Sequence, residues 1–171
     1  MLDNKPKSTV SVTLYFIACL LVWAGSIQGV KADDTRLFVS GSMSQILNAR
    51  QGQPFLMAVW SIACPPCIAD LNLIANTLRE NPRVDIVMIS MDDASYTQAV
   101  QTMLIKYGLG SNVESWIFAE AYAPRLRYEI DSTWYGELPR TYFYEAHHNR
   151  RALSGGLRQQ DIEDWIAKTG R

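Results

Sequence analysis

Pro54-Phe55-Leu56-Met57-Ala58-Val59-Trp60-Ser61-Ile62-Ala63-Cys64-Pro65-Pro66-Cys67-Ile68-Ala69-Asp70 is an apolar run that stops at two cysteines and then changes period. It reads as strand, loop, thiol pair and helix. The lack of alternation over Phe55–Trp60 predicts a strand buried on both faces. Two thiols separated by two residues at the first turn of a helix can close a small disulfide ring, and the helix N-terminus favours a thiolate there. Cys64 fits the N-cap and Pro65 the first helical position, where a missing N–H costs nothing. A zinc site needs four ligands, and the sequence offers neither a second CxxC nor a His-x₃-His to complete them. A purely structural disulfide gains little loop entropy from so short a ring.

Downstream, Ile68, Leu71, Ile74, Ala75 and Leu78 recur at three and four, so an amphipathic helix runs on to Asn81-Pro82. Val84–Ser90 is a second apolar strand. Strand, helix and strand predict a right-handed parallel βαβ unit with the cysteines at the carboxyl end of its first strand, the edge that favours ligand and chemistry sites. Upstream, Leu37–Val39 predicts a short strand, and Ser42-Met43-Ser44-Gln45 has the spacing of a capping box opening a helix. Tyr96, Ala99, Val100, Met103, Leu104 and Tyr107 give a helix stopped by Gly108. Trp116–Phe118 predicts a strand and Pro124–Glu129 a short helix. Arg140–Glu145 and Ala152–Ser154 predict a hairpin turning at 147–150, and Asp161, Ile162, Trp165 and Ile166 a final helix.

The 171 residues allow one domain of ordinary size plus a terminal segment. Lys5 and Lys7 precede an uncharged stretch from Ser8 to Gln28, and Val30-Lys31-Ala32 places small residues where a signal peptidase would cut before Asp33. Residues 1–32 therefore read as a signal peptide, with an uncleaved membrane anchor through residues 8–28 as the competing reading. Both place residues 33–171 outside the cytoplasm, in the periplasm or its equivalent. Cys19 falls within the apolar leader, so the exported domain holds Cys64 and Cys67 alone, as expected of a redox pair in an oxidising compartment. The formal charge of −1 becomes −3 without Asp3, Lys5, Lys7 and Lys31, and basic residues cluster no further than pairs, which argues against a nucleic-acid partner.

The order of elements resembles the thioredoxin fold, a central mixed β-sheet flanked by helices. More narrowly, Val59–Cys67 resembles the active-site segment of the exported TlpA/ResA-type thiol-disulfide oxidoreductases, and Glu137-Leu138-Pro139-Arg140-Thr141-Tyr142-Phe143 is similar to their loop in which a cis-proline precedes a strand facing the cysteines. The likeness covers roughly residues 37–168. It implies a redox-active Cys64–Cys67 disulfide with no other cofactor, Cys64 attacking and Cys67 resolving, and Asp70 where those proteins usually carry Glu. It further implies a substrate-facing surface of Trp60, Pro65, Pro66, Leu138 and Pro139. Partners would be protein thiols and disulfides, with an upstream electron donor such as a membrane thiol reductase, and electron flow toward the substrate, for example in cytochrome c maturation.

Three positions depart from the pattern. Ala63 stands where the family usually has Trp, Ala58 where cytoplasmic thioredoxins carry a buried Asp, and Asn72 where a helix-kinking Pro is expected. Asp70 is then the candidate proton acceptor, three residues after Cys67 and on nearly the same helix face. The rival role is a binding module, either a copper chaperone or a redox-inert scaffold, since thiolates bind Cu(I) well. Such chaperones usually space their cysteines by three residues and place a His near the cis-proline. His147 and His148 instead fall at a hairpin tip, where solvated polar residues collect. Asp92-Asp93 before Ser95 reads as a helix cap, and Trp134 and Tyr135 as aromatics flanking a groove or packed in the core.

Overall fold

The computed structural model describes residues 35–170. The leader read over residues 1–32, with its Cys19, lies outside the described residues. Thirteen short elements follow in order, and six of them are strands: β1 (Arg36–Phe38), β2 (Phe55–Trp60), β3 (Ile86–Asp93), β4 (Glu114–Phe118), β5 (Arg140–Tyr144) and β6 (Arg150–Ser154). The helices are α1 (Ser42–Ala49), α2 (Pro65–Glu80), α3 (Thr97–Lys106), α4 (Ala123–Ile130) and α5 (Gln159–Thr169), with 3₁₀ turns at Ala94–Tyr96 and Gly110–Asn112. One sheet in the order β1-β4-β3-β2-β5-β6 joins the strands. The first four neighbours run parallel, and β5 and β6 turn antiparallel.

Strand β2 lies near the middle of the sheet, and all six of its residues are buried. Its side chains alternate between two cores. Leu56, Ala58 and Trp60 pack with Cys67, Leu71 and Ile74 of α2, Val100 and Leu104 of α3, and Ile162 and Trp165 of α5. Phe55, Met57 and Val59 pack with Met43 and Ile46 of α1, Leu126 and Ile130 of α4, and Trp134. Helices cover both faces, so β2 needs no polar side and reads as a continuous apolar run.

Local chemistry departs from the sequence expectations in two places. No side chain caps α1 in the manner of a capping box. Its N-cap is Gly41 at φ 88, a left-handed conformation that glycine adopts without strain. Ser42 is instead the first helical residue, and its Oγ accepts the Val39 N–H at 2.9 Å. Strand β3 begins at Ile86, leaving Val84 in the preceding turn, and runs on to Asp93 through a register break. Between Ser90 and Asp93 β3 advances three residues while its partner β4 advances one, from Ile117 to Phe118. This is a bulge, and bulges re-aim side chains.

Candidate active site

Two consecutive prolines at the start of α2 preset the backbone for a helical first turn. Cys64 is the N-cap in extended conformation, and its Sγ accepts the Cys67 N–H at 3.2 Å. Cys64 and Cys67 form a disulfide with an S–S distance of 2.03 Å and a Cα–Cα distance of 5.2 Å. The two sulfurs differ in access. Cys64 is half-buried with exposed Ala63 and Pro65 beside it, whereas Cys67 is only 1% exposed.

The segment before Cys64 is held by a side chain from the neighbouring strand. Asp92 Oδ1 accepts from Ser61 Oγ at 2.8 Å, and Asp92 Oδ2 accepts from the Ile62 N–H at 2.9 Å and from Ser90 Oγ at 2.6 Å. Ser61 Oγ in turn accepts the Ala63 N–H at 3.1 Å, and Cys64 N–H reaches Ser61 O at 3.2 Å. Of the two aspartates read as a cap, only Asp93 serves as one, accepting the Ser95 N–H at 2.9 Å.

Beneath the disulfide a cavity of about 10 Å³ is lined by Trp60, Cys67, Asp70, Pro139 and Thr141 among others. Asp70 is 7% exposed. Its Oδ1 accepts the Leu157 N–H at 3.0 Å, while its Oδ2 has no protein partner. Burial pushes the Asp70 carboxyl up to about 6, against the opposing pull of the Leu157 N–H. Trp60 Nε1 is likewise buried without a partner. Both orphan groups belong to residues lining this cavity, which has room for about one water.

The Leu138–Pro139 peptide is cis, and Pro139 is buried against the same cavity as Cys67. Its loop is anchored from below. Trp134 Nε1 donates to Glu137 O at 2.9 Å, and Arg140 donates to Asp131 at 3.1 Å. Asp131 also meets Arg150 and the Tyr142 hydroxyl, and the Arg140 and Arg150 guanidinium carbons lie 5.1 and 4.9 Å from the Tyr142 ring centroid. Trp134 is therefore a core residue, whereas Tyr135 is 93% exposed.

Of the surface expected to meet a substrate, Pro65 and Pro66 are exposed and Leu138 is half-buried. Trp60 is not part of it. At 2% exposure its ring lies in the core under α2, because β2 is covered on both faces. At the far end of β5, His148 sits in the turn at φ 60 with its Nε2 3.0 Å from Arg50 O. Among the described residues no group of three or more His, Cys, Asp or Glu side chains is arranged to hold a metal ion.

The structure brings Cys67, Asp70 and Pro139, each singled out in the sequence, around one cavity. The sequence does not point to Asp92 as a support of the loop or to Asp131 as an anchor of the Pro139 segment. A serine at each end of the contact, Ser61 and Ser90, was the available signal for Asp92.

No protein-family model and no curated protein matches the chain. Solved structures do. A secreted disulfide oxidoreductase of Mycobacterium tuberculosis, homologous to E. coli DsbE, is 21% identical with a TM-score of 0.56, over 71% of this chain and 85% of its own. A thioredoxin-family thiol:disulfide interchange protein from Chlorobium tepidum is 13% identical with a TM-score of 0.57, over 71% and 83%. StoA from Bacillus subtilis is 16% identical with a TM-score of 0.51, over 68% and 84%. At these identities the likeness is one of architecture: the chain has the thioredoxin fold, with its own cysteine pair at the start of the helix that follows the central strand.

Proposed function

We propose that the protein is an exported thiol-disulfide oxidoreductase that passes electrons from its dithiol to disulfides of extracytoplasmic proteins. The observation that carries this reading is the pairing of a half-exposed sulfur and a buried one at a helix N-terminus, above a buried carboxylate. The secreted state of the Mycobacterium tuberculosis neighbour agrees with the leader read from residues 1–32.

In the reduced enzyme Cys64 is the attacking thiolate. The Cys67 N–H aimed at its Sγ and the partial positive charge of the α2 N-terminus both favour the anion. Cys64 Sγ attacks one sulfur of the substrate disulfide; that S–S bond breaks, a mixed disulfide forms, and the departing substrate thiolate takes up a proton. Asp70 then accepts the Cys67 proton, through a water in the shared cavity, and Cys67 Sγ attacks Cys64 Sγ. The mixed disulfide breaks, the second substrate thiolate leaves, and the Cys64–Cys67 disulfide closes. Two electrons have moved to the substrate, and an upstream thiol donor restores the dithiol. Pro65, Pro66, Leu138 and the Pro139 loop form the surface that meets an extended substrate chain. Reduction of apocytochrome disulfides during cytochrome c maturation fits such a donor.

Insulin reduction by dithiothreitol tests the activity: the protein accelerates it, and Cys64→Ser abolishes the acceleration. Equal rates with the two proteins would refute an exchange role. Equilibration with glutathione sets the direction, since a reductase requires a potential well below about −200 mV.

A further inference from the structure

We infer that Asp92, thrown out of register by the β3 bulge, is the positioning residue that holds Cys64 in attacking geometry by clamping the turn Ser61–Ala63. The inference rests on the reading of Cys64 as the attacking thiol. Strand β2 ends at Trp60, paired with Ser90, and the chain must leave the sheet there to present Cys64 at the start of α2. In that turn only two backbone bonds fix the path, Cys64 N–H to Ser61 O and, across the next turn, Ile68 N–H to Cys64 O. Ile62 packs against the core, and the side-chain hydrogen bonds that reach Ser61 and Ile62 from β3 come through one carboxylate, that of Asp92.

The donor and acceptor assignment around that carboxylate is complete. Ile62 contributes a backbone N–H, which can only donate. Ser61 Oγ accepts from Ala63 N–H, so its proton is free for Asp92 Oδ1. Ser90 Oγ accepts the Asp92 N–H at 3.0 Å, so its proton goes to Asp92 Oδ2. Three donors converge on two oxygens, so the carboxylate satisfies all of them and alanine would satisfy none. An amide would keep part of the clamp, with its oxygen on Ile62 N–H and Ser90 Oγ and its NH₂ on Ser61 Oγ, a hydroxyl that can also accept. The bulge supplies the register: Met91 and Asp92 are extra to the pairing with β4, which frees Asp92 to face the β2 loop. Ser90 is fully buried, so the clamp is fixed to the sheet and not to a mobile surface group.

A nucleophile misplaced by about 1 Å can lose as much as a hundredfold in rate, and loosening this turn acts on placement without touching the substrate surface. Asp92→Ala should therefore lower kcat for insulin reduction by about tenfold with KM unchanged, and slow iodoacetamide labelling of reduced Cys64 in parallel. Ser61→Ala, which removes one arm and leaves the core intact, should show the same split at about threefold. Ser61→Thr, which keeps the hydroxyl, should restore the wild-type rate. Both kinetic parameters and the labelling rate unchanged in Asp92→Ala or, if that variant fails to fold, in Ser61→Ala would overturn the assignment. A wild-type protein inactive toward insulin would instead sink the exchange reading, while Cys64 labelling in the variants still reports on the clamp.

Discussion

Asp70 Oδ1 accepts the backbone N–H of Leu157 at 3.0 Å across 87 positions of sequence, tying the helix that carries the cysteines to the loop after β6. One oxygen is thus committed to structure. The other is buried with no protein partner in a residue that lines the cavity beside Cys67, so burial dominates and pushes the carboxyl up to about 6, above its ordinary 3.8.

A stability measurement on the oxidised protein reads that burial directly. Because the folded value lies above the unfolded one, ionising Asp70 opposes folding, and stability falls as pH rises from about 3.8 to about 6 before levelling off. The loss is on the order of 3 kcal/mol by linkage. Asp70→Asn keeps an acceptor for Leu157 N–H and cannot ionise. Its urea midpoint should exceed that of the wild type at pH 7.5 and converge with it near pH 4. A constant offset at both pH values would contradict the buried-carboxylate account. In the reduced protein the same variant should slow disulfide exchange.

Asp131 behaves in the opposite sense. Burial alone would raise its carboxyl, but the Thr133 hydroxyl and N–H, with Arg140 and Arg150, outweigh it and bring it down to about 2. A depressed value adds stability above about 3.8, and that stability disappears as pH falls through about 2. Asp131→Asn should cost on the order of 2 kcal/mol at pH 7, read as a lowered Tm, with the deficit shrinking below pH 3. A deficit independent of pH would mean that packing, and not charge, links this cluster to the Pro139 loop.

The parts of the fold legible in the sequence are those where one local rule decides. Strand β2 and the first turn of α2 are fixed by an apolar run, two prolines and a cysteine cap, and they appear as read. Helix spacing from Cys67, together with the resemblance to proteins that usually carry Glu at this position, singles out Asp70. Its partner Leu157 is not singled out, because no short-range pattern links residues 87 apart. Asp92 was hidden for a related reason: a strand period aims a side chain only while the register holds, and here a bulge breaks it. Ser42 misled because a serine before a helix can bond backward as well as forward. It bonds back to Val39, and the left-handed Gly41 takes the cap position. The resemblance places Trp60 beside the cysteines as a contact surface, yet a strand covered by helices on both faces leaves it in the core.

Trapping the exchange intermediate tests the division of labour between the two sulfurs most directly. Reduced Cys67→Ser and reduced Cys64→Ser are each incubated with a peptide disulfide near neutral pH and the adducts located by peptide mass. A half-exposed Cys64 with a donor at its sulfur, and a Cys67 only 1% exposed, predict a stable mixed disulfide on Cys64 in the first variant and little or none on Cys67 in the second. Faster or equal adduct formation on Cys67 would contradict the account.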